Sequence, residues 1–177
     1  AIQPNYTQAH SNLGNTLFEL GQLETAIKSY EKVIAINPDH SEAYFNLGSS
    51  FQQLGKVDDA IKFYEKALAI NSNSAVIYDI LCDIKKYTIN KKKITKMQSL
   101  LSSDKISLSD RRHLCFALAK VNENLDNQDE FFKYLHEANS IHKQELNYSL
   151  VLSKTLFSSI KEMFDSSYSD IEKSLSS

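Results

Sequence analysis

Two cysteines and five histidines are the side chains of this sequence with the widest chemical reach, and their spacing commits them to little. His10, His40, His113, His136 and His142 form no HExxH pair and no paired spacing with carboxylates, so no metal is expected. Cys82 and Cys115 lack CxxC spacing and are too few for a disulfide framework, which points to a reducing, cytoplasmic setting. Both lie on apolar helical patterns and read as buried structural thiols rather than nucleophiles. No Ser-His-Asp constellation can be assigned from spacing. The chain is expected to be non-catalytic and to need no cofactor.

Lys85, Lys86, Lys91, Lys92, Lys93 and Lys96 make a basic stretch that could meet phosphate or an acidic partner. Only Tyr87 interrupts it, too little aromatic interleaving for base stacking, so a solvated loop and helix face is expected and nucleic acid is not. The amides are more informative. Asn12 and Asn46 stand 34 residues apart, and an amide offers both a donor and an acceptor to the backbone of an extended peptide.

These side chains must be held by helices. The 177 residues include four Gly, two Pro and no Trp, too few turn residues for a many-stranded protein. The formal charge of −2 has both signs interleaved, so net charge selects no partner. No run approaches the about 18 apolar residues of a membrane span, and Ala1 to Tyr6 lacks a signal-peptide layout. The absent initiator Met suggests a fragment.

At an offset of 34, Pro4 falls on Pro38, Gly14 on Gly48, Gly21 on Gly55, Ala26 on Ala60 and Tyr30 on Tyr64. Leu13 also falls on Leu47, and Tyr30-Glu31-Lys32 recurs as Tyr64-Glu65-Lys66. Within the second copy, Ala43, Leu47, Phe51 and Leu54 keep one helical spacing, and Ala60, Ile61, Tyr64 and Leu68 keep another. Gly48 would let the paired helices approach, Gly55 would end a helix in the left-handed conformation, and Pro38 would separate units.

Leu-Gly, an aromatic, Gly, Ala, an aromatic and Pro at this period resemble the tetratricopeptide repeat. The resemblance implies an all-α, right-handed solenoid of antiparallel helix pairs, here with a C-terminal capping helix. The expected organisation is residues 1–6 as the tail of a preceding repeat, 7–40 and 41–74 as units one and two, and 75–111 as a degenerate third unit with a loop. Residues 112–145 follow as a fourth unit, 146–165 as the cap, with the stripe Leu152, Leu156, Ile160, Met163 and Phe164, and 166–177 as a linker or frayed end. In unit four, Phe131 replaces the usual Ala and should widen the packing there.

The resemblance further implies a concave face built from the first helix of each unit. Its expected residues are Gln8, Ser11, Asn12, Asn15 and Phe18 in unit one, and Glu42, Phe45, Asn46, Ser49 and Gln52 in unit two. Such a face binds a peptide or protein segment; alternatively Asn12 and Asn46 only stabilise helix packing. A carboxylate clamp for chaperone tails is not expected, because Ser11, Val76 and Ile80 stand where that clamp has basic residues.

Arg111 to Lys120, followed by Phe132, Tyr134, Leu135, Ala138, Asn139 and Asn147-Tyr148, is similar to the region between repeats and catalytic domain in bacterial tetratricopeptide-sulfotransferase proteins. The similarity implies that Ile94 to Phe164 connects the repeats to a catalytic domain. The phosphate loop of that chemistry needs glycine or serine between a strand and a helix, and all four glycines are used in the repeats. Two alternatives stay open: a structural scaffold that self-associates by its ends, and a fragment of a transferase whose catalytic half lies elsewhere.

Overall fold

In the computed structural model the described residues are 4–84 and 87–175, with side-chain surroundings for residues 6–84 and 87–147 and for only some beyond. Among them are eight α-helices and no strand: α1 (Pro4–Glu19), α2 (Leu23–Ile36), α3 (Ser41–Gln53), α4 (Val57–Ile70), α5 (Ala75–Asp83), α6 (Lys91–Leu101), α7 (Leu108–Asn124) and α8 (Gln128–Leu175). The chain is an all-helical solenoid in which α1 packs on α2, α3 on α4 and α7 on α8.

The second helices of the two regular units form for the same reasons. Glu24 in α2 and Asp58 and Asp59 in α4 occupy the first turn, where the helix dipole favours negative charge. Ala26, Tyr30 and Val33, like Ala60, Tyr64 and Ala67, recur at helical spacing and are buried along one stripe. Opposite each tyrosine stands a glycine of the first helix. A methyl on Gly14 would come within 2.5 Å of the Tyr30 ring, and one on Gly48 within 2.6 Å of the Tyr64 ring. In α5 and α7 the equivalent small slot holds Cys82 and Ala119, both buried.

Three turns share one geometry. Gly21 and Gly55 both have φ of 73°, and the amides of Gln22 and Lys56 donate back to the carbonyls of Leu17 and Phe51. Asp126 takes the same left-handed conformation at φ 56°, and Asn127 N–H donates to the Asn122 carbonyl. Aspartate tolerates this conformation better than most residues, at a cost glycine does not incur.

The two prolines differ in place despite their common register. Pro38 lies in the turn between α2 and α3, whereas Pro4 is the first residue of α1, where its missing N–H costs nothing. α1 therefore begins within the segment expected to be a preceding tail.

The third unit departs most from the repeat. α5 has nine residues and ends where Ile84 turns extended, with no glycine to fold the chain back. Residues 84–90 separate it from α6, and α5 packs chiefly on α7 instead. Ser107 caps α7 and starts it at Leu108: its hydroxyl accepts the Asp110 N–H at 3.0 Å and donates to the Asp110 carboxylate at 2.7 Å.

At the other end, the boundary expected between residues 145 and 146 coincides with no break. α8 runs for 48 residues, about 72 Å at 1.5 Å per residue, and continues through most of the segment expected to be a linker. No glycine or proline lies between Gln128 and Leu175 to end it. The side chains of Leu152, Leu156, Ile160, Met163 and Phe164 lie outside the described residues.

Burial divides into two clusters. Ala26, Tyr30 and Leu47 join units one and two, while a larger cluster runs from Ala60 through Leu81, Met97 and Leu118 to Ala138.

Candidate partner-binding face

Hydrogen bonds tie the expected face together in two knots. Asn15 Oδ1 accepts from Asn46 Nδ2 at 3.0 Å and from the Tyr30 hydroxyl at 2.9 Å, so one amide joins α1, α2 and α3. The Tyr64 hydroxyl donates to Gln52 Oε1 at 2.7 Å and lies 3.3 Å from the Ser49 hydroxyl, while the Phe45 ring tilts against the Tyr64 ring. Burial pushes the Tyr30 hydroxyl up to about 12, with Glu42 and Glu19 adding to it, and raises Tyr64 as well. Both hydroxyls are therefore protonated donors at neutral pH.

Asn12 and Asn46 share a register position, but the amide pairing across the units runs diagonally. Asn12 is exposed and accepts from Gln8 Nε2 one turn earlier at 2.8 Å, whereas Asn46 reaches Asn15. Positions three apart on α1 lie on neighbouring rows, and Asn15 is the one within reach of α3. Ser11 is 8 % exposed and its hydroxyl is buried, so it is not open to a partner as the sequence pattern suggested. Phe18 is half-buried against the Ala26–Tyr30–Leu47 cluster, and Glu42 is exposed.

Sequence reasoning missed the continuation of this face. The unit positions held by Phe45, Ser49 and Gln52 in α3 are held by Asp79 and Asp83 in α5 and by Phe116, Lys120 and Glu123 in α7. Those five line a cavity of about 390 Å³ together with Arg112, Ala119, Phe131 and Leu135. Phe131 stands in the slot of Ala60, so a ring occupies a contact made by a methyl in unit two. His113 Nδ1 lies 2.7 Å from Asp79 Oδ2. Burial raises the Asp79 carboxyl above its usual range, and the His113 hydrogen bond opposes that. The register that exposes Val76 and Ile80 as non-basic also reveals Asp79 and Asp83; it had only to be carried three residues further.

The lysine stretch is not uniformly solvated. Lys93 Nζ reaches both oxygens of Glu65, at 2.7 and 2.8 Å, and the Tyr87 hydroxyl donates to the same carboxylate. Glu65 thereby latches residues 87–93 onto α4, while Lys91 and Lys92 remain exposed. Glu65→Ala should leave Lys93 and Tyr87 without their acceptor and cost about 1–2 kcal/mol, a range discounted for partial exposure. Hydrogen exchange should locate the loss in α6; an unchanged α6 would mean that the latch adds nothing.

Neither thiol is poised for attack. Burial pushes Cys82 and Cys115 up to about 12, with Asp79 and Glu137 respectively adding to the shift, so both are thiols at neutral pH. Among the described residues, no group of three or more His, Cys, Asp or Glu could hold a metal ion, and no helix is long and apolar enough to cross a membrane.

Comparison with known proteins places this geometry. Residues 14–55 match the family described as TPR repeat, and residues 41–74 match the tetratricopeptide repeat. No curated protein sequence matches the chain. Among solved structures, a crystal structure of MamA is 23 % identical with a TM-score of 0.58, over 82 % of this chain and 84 % of that one. PilF of Pseudomonas aeruginosa is 21 % identical with a TM-score of 0.63, over 79 % of this chain and 63 % of that one. TTC0263, a thermophilic TPR protein of Thermus thermophilus, is 20 % identical with a TM-score of 0.50, over 77 % of this chain and 75 % of that one. At these identities the likeness is one of fold. Residues 14–74 thus match the tetratricopeptide repeat, and they sit in an all-helical solenoid that runs through the described residues.

Proposed function

We propose that this chain is a non-catalytic interaction scaffold whose concave face, built on α1 and α3, binds an extended peptide or protein segment. The observation that carries this reading is the Asn15–Asn46–Tyr30 knot, which fixes amides across two units and leaves them hydrogen-bonding capacity. Asn46 spends one donor hydrogen on Asn15, and Asn12 spends only its carbonyl on Gln8. Pre-positioned amides lower the ordering cost of gripping a peptide backbone. Cys82 and Cys115, separate and buried, fit a reducing cytoplasm.

The test compares arrayed peptides and native extract on the wild type and on the double variant Asn12→Ala/Asn46→Ala, with thermal denaturation as a folding control. At least a tenfold loss of binding by a folded variant is expected; unchanged partners would remove this face from the account.

A self-assembly reading is favoured by one contrast. Leu13 is 50 % exposed, whereas Leu47, its equivalent one unit later, is 1 % exposed in the cluster with Ala26 and Tyr30. With Tyr6, and with Leu20 just past the helix end, it leaves an uncovered apolar face along α1 suited to another helix of the α2 type. Concentration-dependent solution scattering decides this, because a strictly monomeric chain argues against it. The likeness of Arg111 to Lys120 to the sulfotransferase connector supports a finer reading, in which the scaffold presents an acceptor to an attached transferase and raises its local concentration. A strand and phosphate-loop pattern after Ser177 would support it; a stop codon there would end it.

A further inference from the structure

We infer that the cavity between α5, α7 and α8 is the specificity pocket of the concave face, taking an apolar side chain next to a lysine or arginine of the bound peptide. This rests on the reading of the concave face as a binding surface and names the partner chemistry that the regular units do not select.

The walls of the cavity favour an apolar anchor. Phe116, Phe131, Leu135 and Ala119 line it, and about 390 Å³ falls within the range that accommodates small ligands and side-chain anchors. The charges around it are unequally spent. Lys120 is held by Glu123 at 2.6 Å and Arg112 lies 2.8 Å from Glu145, so both lining cations already have a carboxylate. Asp83 lines the same cavity, is exposed and makes no salt bridge among the described residues, its attraction to Lys120 being a weaker one than that of Glu123. Asp79 and Asp83 lie four residues apart on one face of α5, so an arriving cation meets both. An anion would find its potential partners engaged and these two carboxylates repelling it. Complementarity therefore selects a positive charge beside the apolar anchor.

The continuity of the lining with the units-one-and-two face makes this a single surface. Asp79 and Asp83, and Phe116, Lys120 and Glu123, hold the unit positions of Phe45, Ser49 and Gln52. The regular half offers sequence-neutral amides, and the irregular half supplies a charged and apolar feature that can discriminate.

Three fluorescein-labelled octapeptides test it by anisotropy on the full chain: one alternating lysine with phenylalanine, one glutamate with phenylalanine, and one lysine with serine. The lysine–phenylalanine peptide should bind at least tenfold more tightly than either of the others, and weaken as salt rises. Asp83→Lys, at an exposed position where the fold is retained, should abolish the preference over the glutamate peptide. Ala119→Leu should fill the cavity and lower affinity for the phenylalanine peptides; if it fails to fold, Asp83→Lys alone decides. Equal binding of both charge types, no binding of any probe, or a preference unaffected by Asp83→Lys overturns the inference. Peptides that respond to Asn46→Ala but not to Asp83→Lys would overturn it while leaving the amide face standing.

Discussion

Gly48→Ala is expected to destabilise the chain by about 1–3 kcal/mol, although alanine is the better helix former. On propensity alone the substitution inside α3 would gain about 1 kcal/mol. Against that stands a methyl carbon placed 2.6 Å from Cδ1 and Cε1 of Tyr64. That ring cannot swing aside, because Tyr64 is 1 % exposed and its hydroxyl is held by Gln52. Relief requires α3 and α4 to separate, which strains the joint between the two core clusters. Gly55→Ala is the contrasting control: nothing lies within 4 Å of its added carbon, so its cost is the left-handed backbone alone, about 1–2 kcal/mol. Urea denaturation measures both. A double cycle with Tyr64→Leu should show that the two changes are coupled, since a smaller side chain removes the clash. A neutral or stabilising Gly48→Ala would mean that the helix pair yields more easily than its packing implies.

The same close approach explains why the pairing of helices was legible in the sequence. A ring needs a missing Cβ opposite it, so Tyr30 with Gly14 and Tyr64 with Gly48 write the contact into residue types at a fixed offset. The turns at Gly21 and Gly55 are legible for a related reason, a backbone conformation that few residues adopt. What depends on reach rather than type was not legible. Asn12 and Asn46 share a register position, yet the bond runs from Asn46 to Asn15, because reach across two helices is decided by their relative placement. The Glu65–Lys93–Tyr87 latch joins residues with no repeat equivalent, so no periodicity announces it. The Asp79–Asp83 edge of the candidate pocket was hidden by its degenerate unit, where the lost glycine drew attention from a register that persists. The length of α8 was hidden by serine, which is a weak stop: only the absence of glycine and proline carries the information that the helix continues.

Leu118→Ala carries the second large effect, a loss of about 2–5 kcal/mol concentrated in the irregular half. Leu118 is 0 % exposed at the middle of α7, in the cluster that runs from Ala60 to Ala138. α7 is the element on which both neighbours depend: α8 packs along it, and α5 rests on it in place of a close partner in α6. Removing three carbons there leaves a cavity that can collapse only if α5 or α8 moves, and α5 has little else to hold it. Since repeat stability is a sum of unit and neighbour terms, the loss should not spread evenly. Hydrogen exchange should lose protection in α5, α7 and the first turns of α8 well before α1 and α2, which are joined to unit two by the separate cluster around Tyr30 and Leu47. Gly48→Ala should give the complementary pattern, with loss centred on α3 and α4. Uniform loss of protection from α1 to α8 in the Leu118 variant would show that the two clusters melt as one unit, and the division into a regular binding half and an irregular discriminating half would lose its energetic basis.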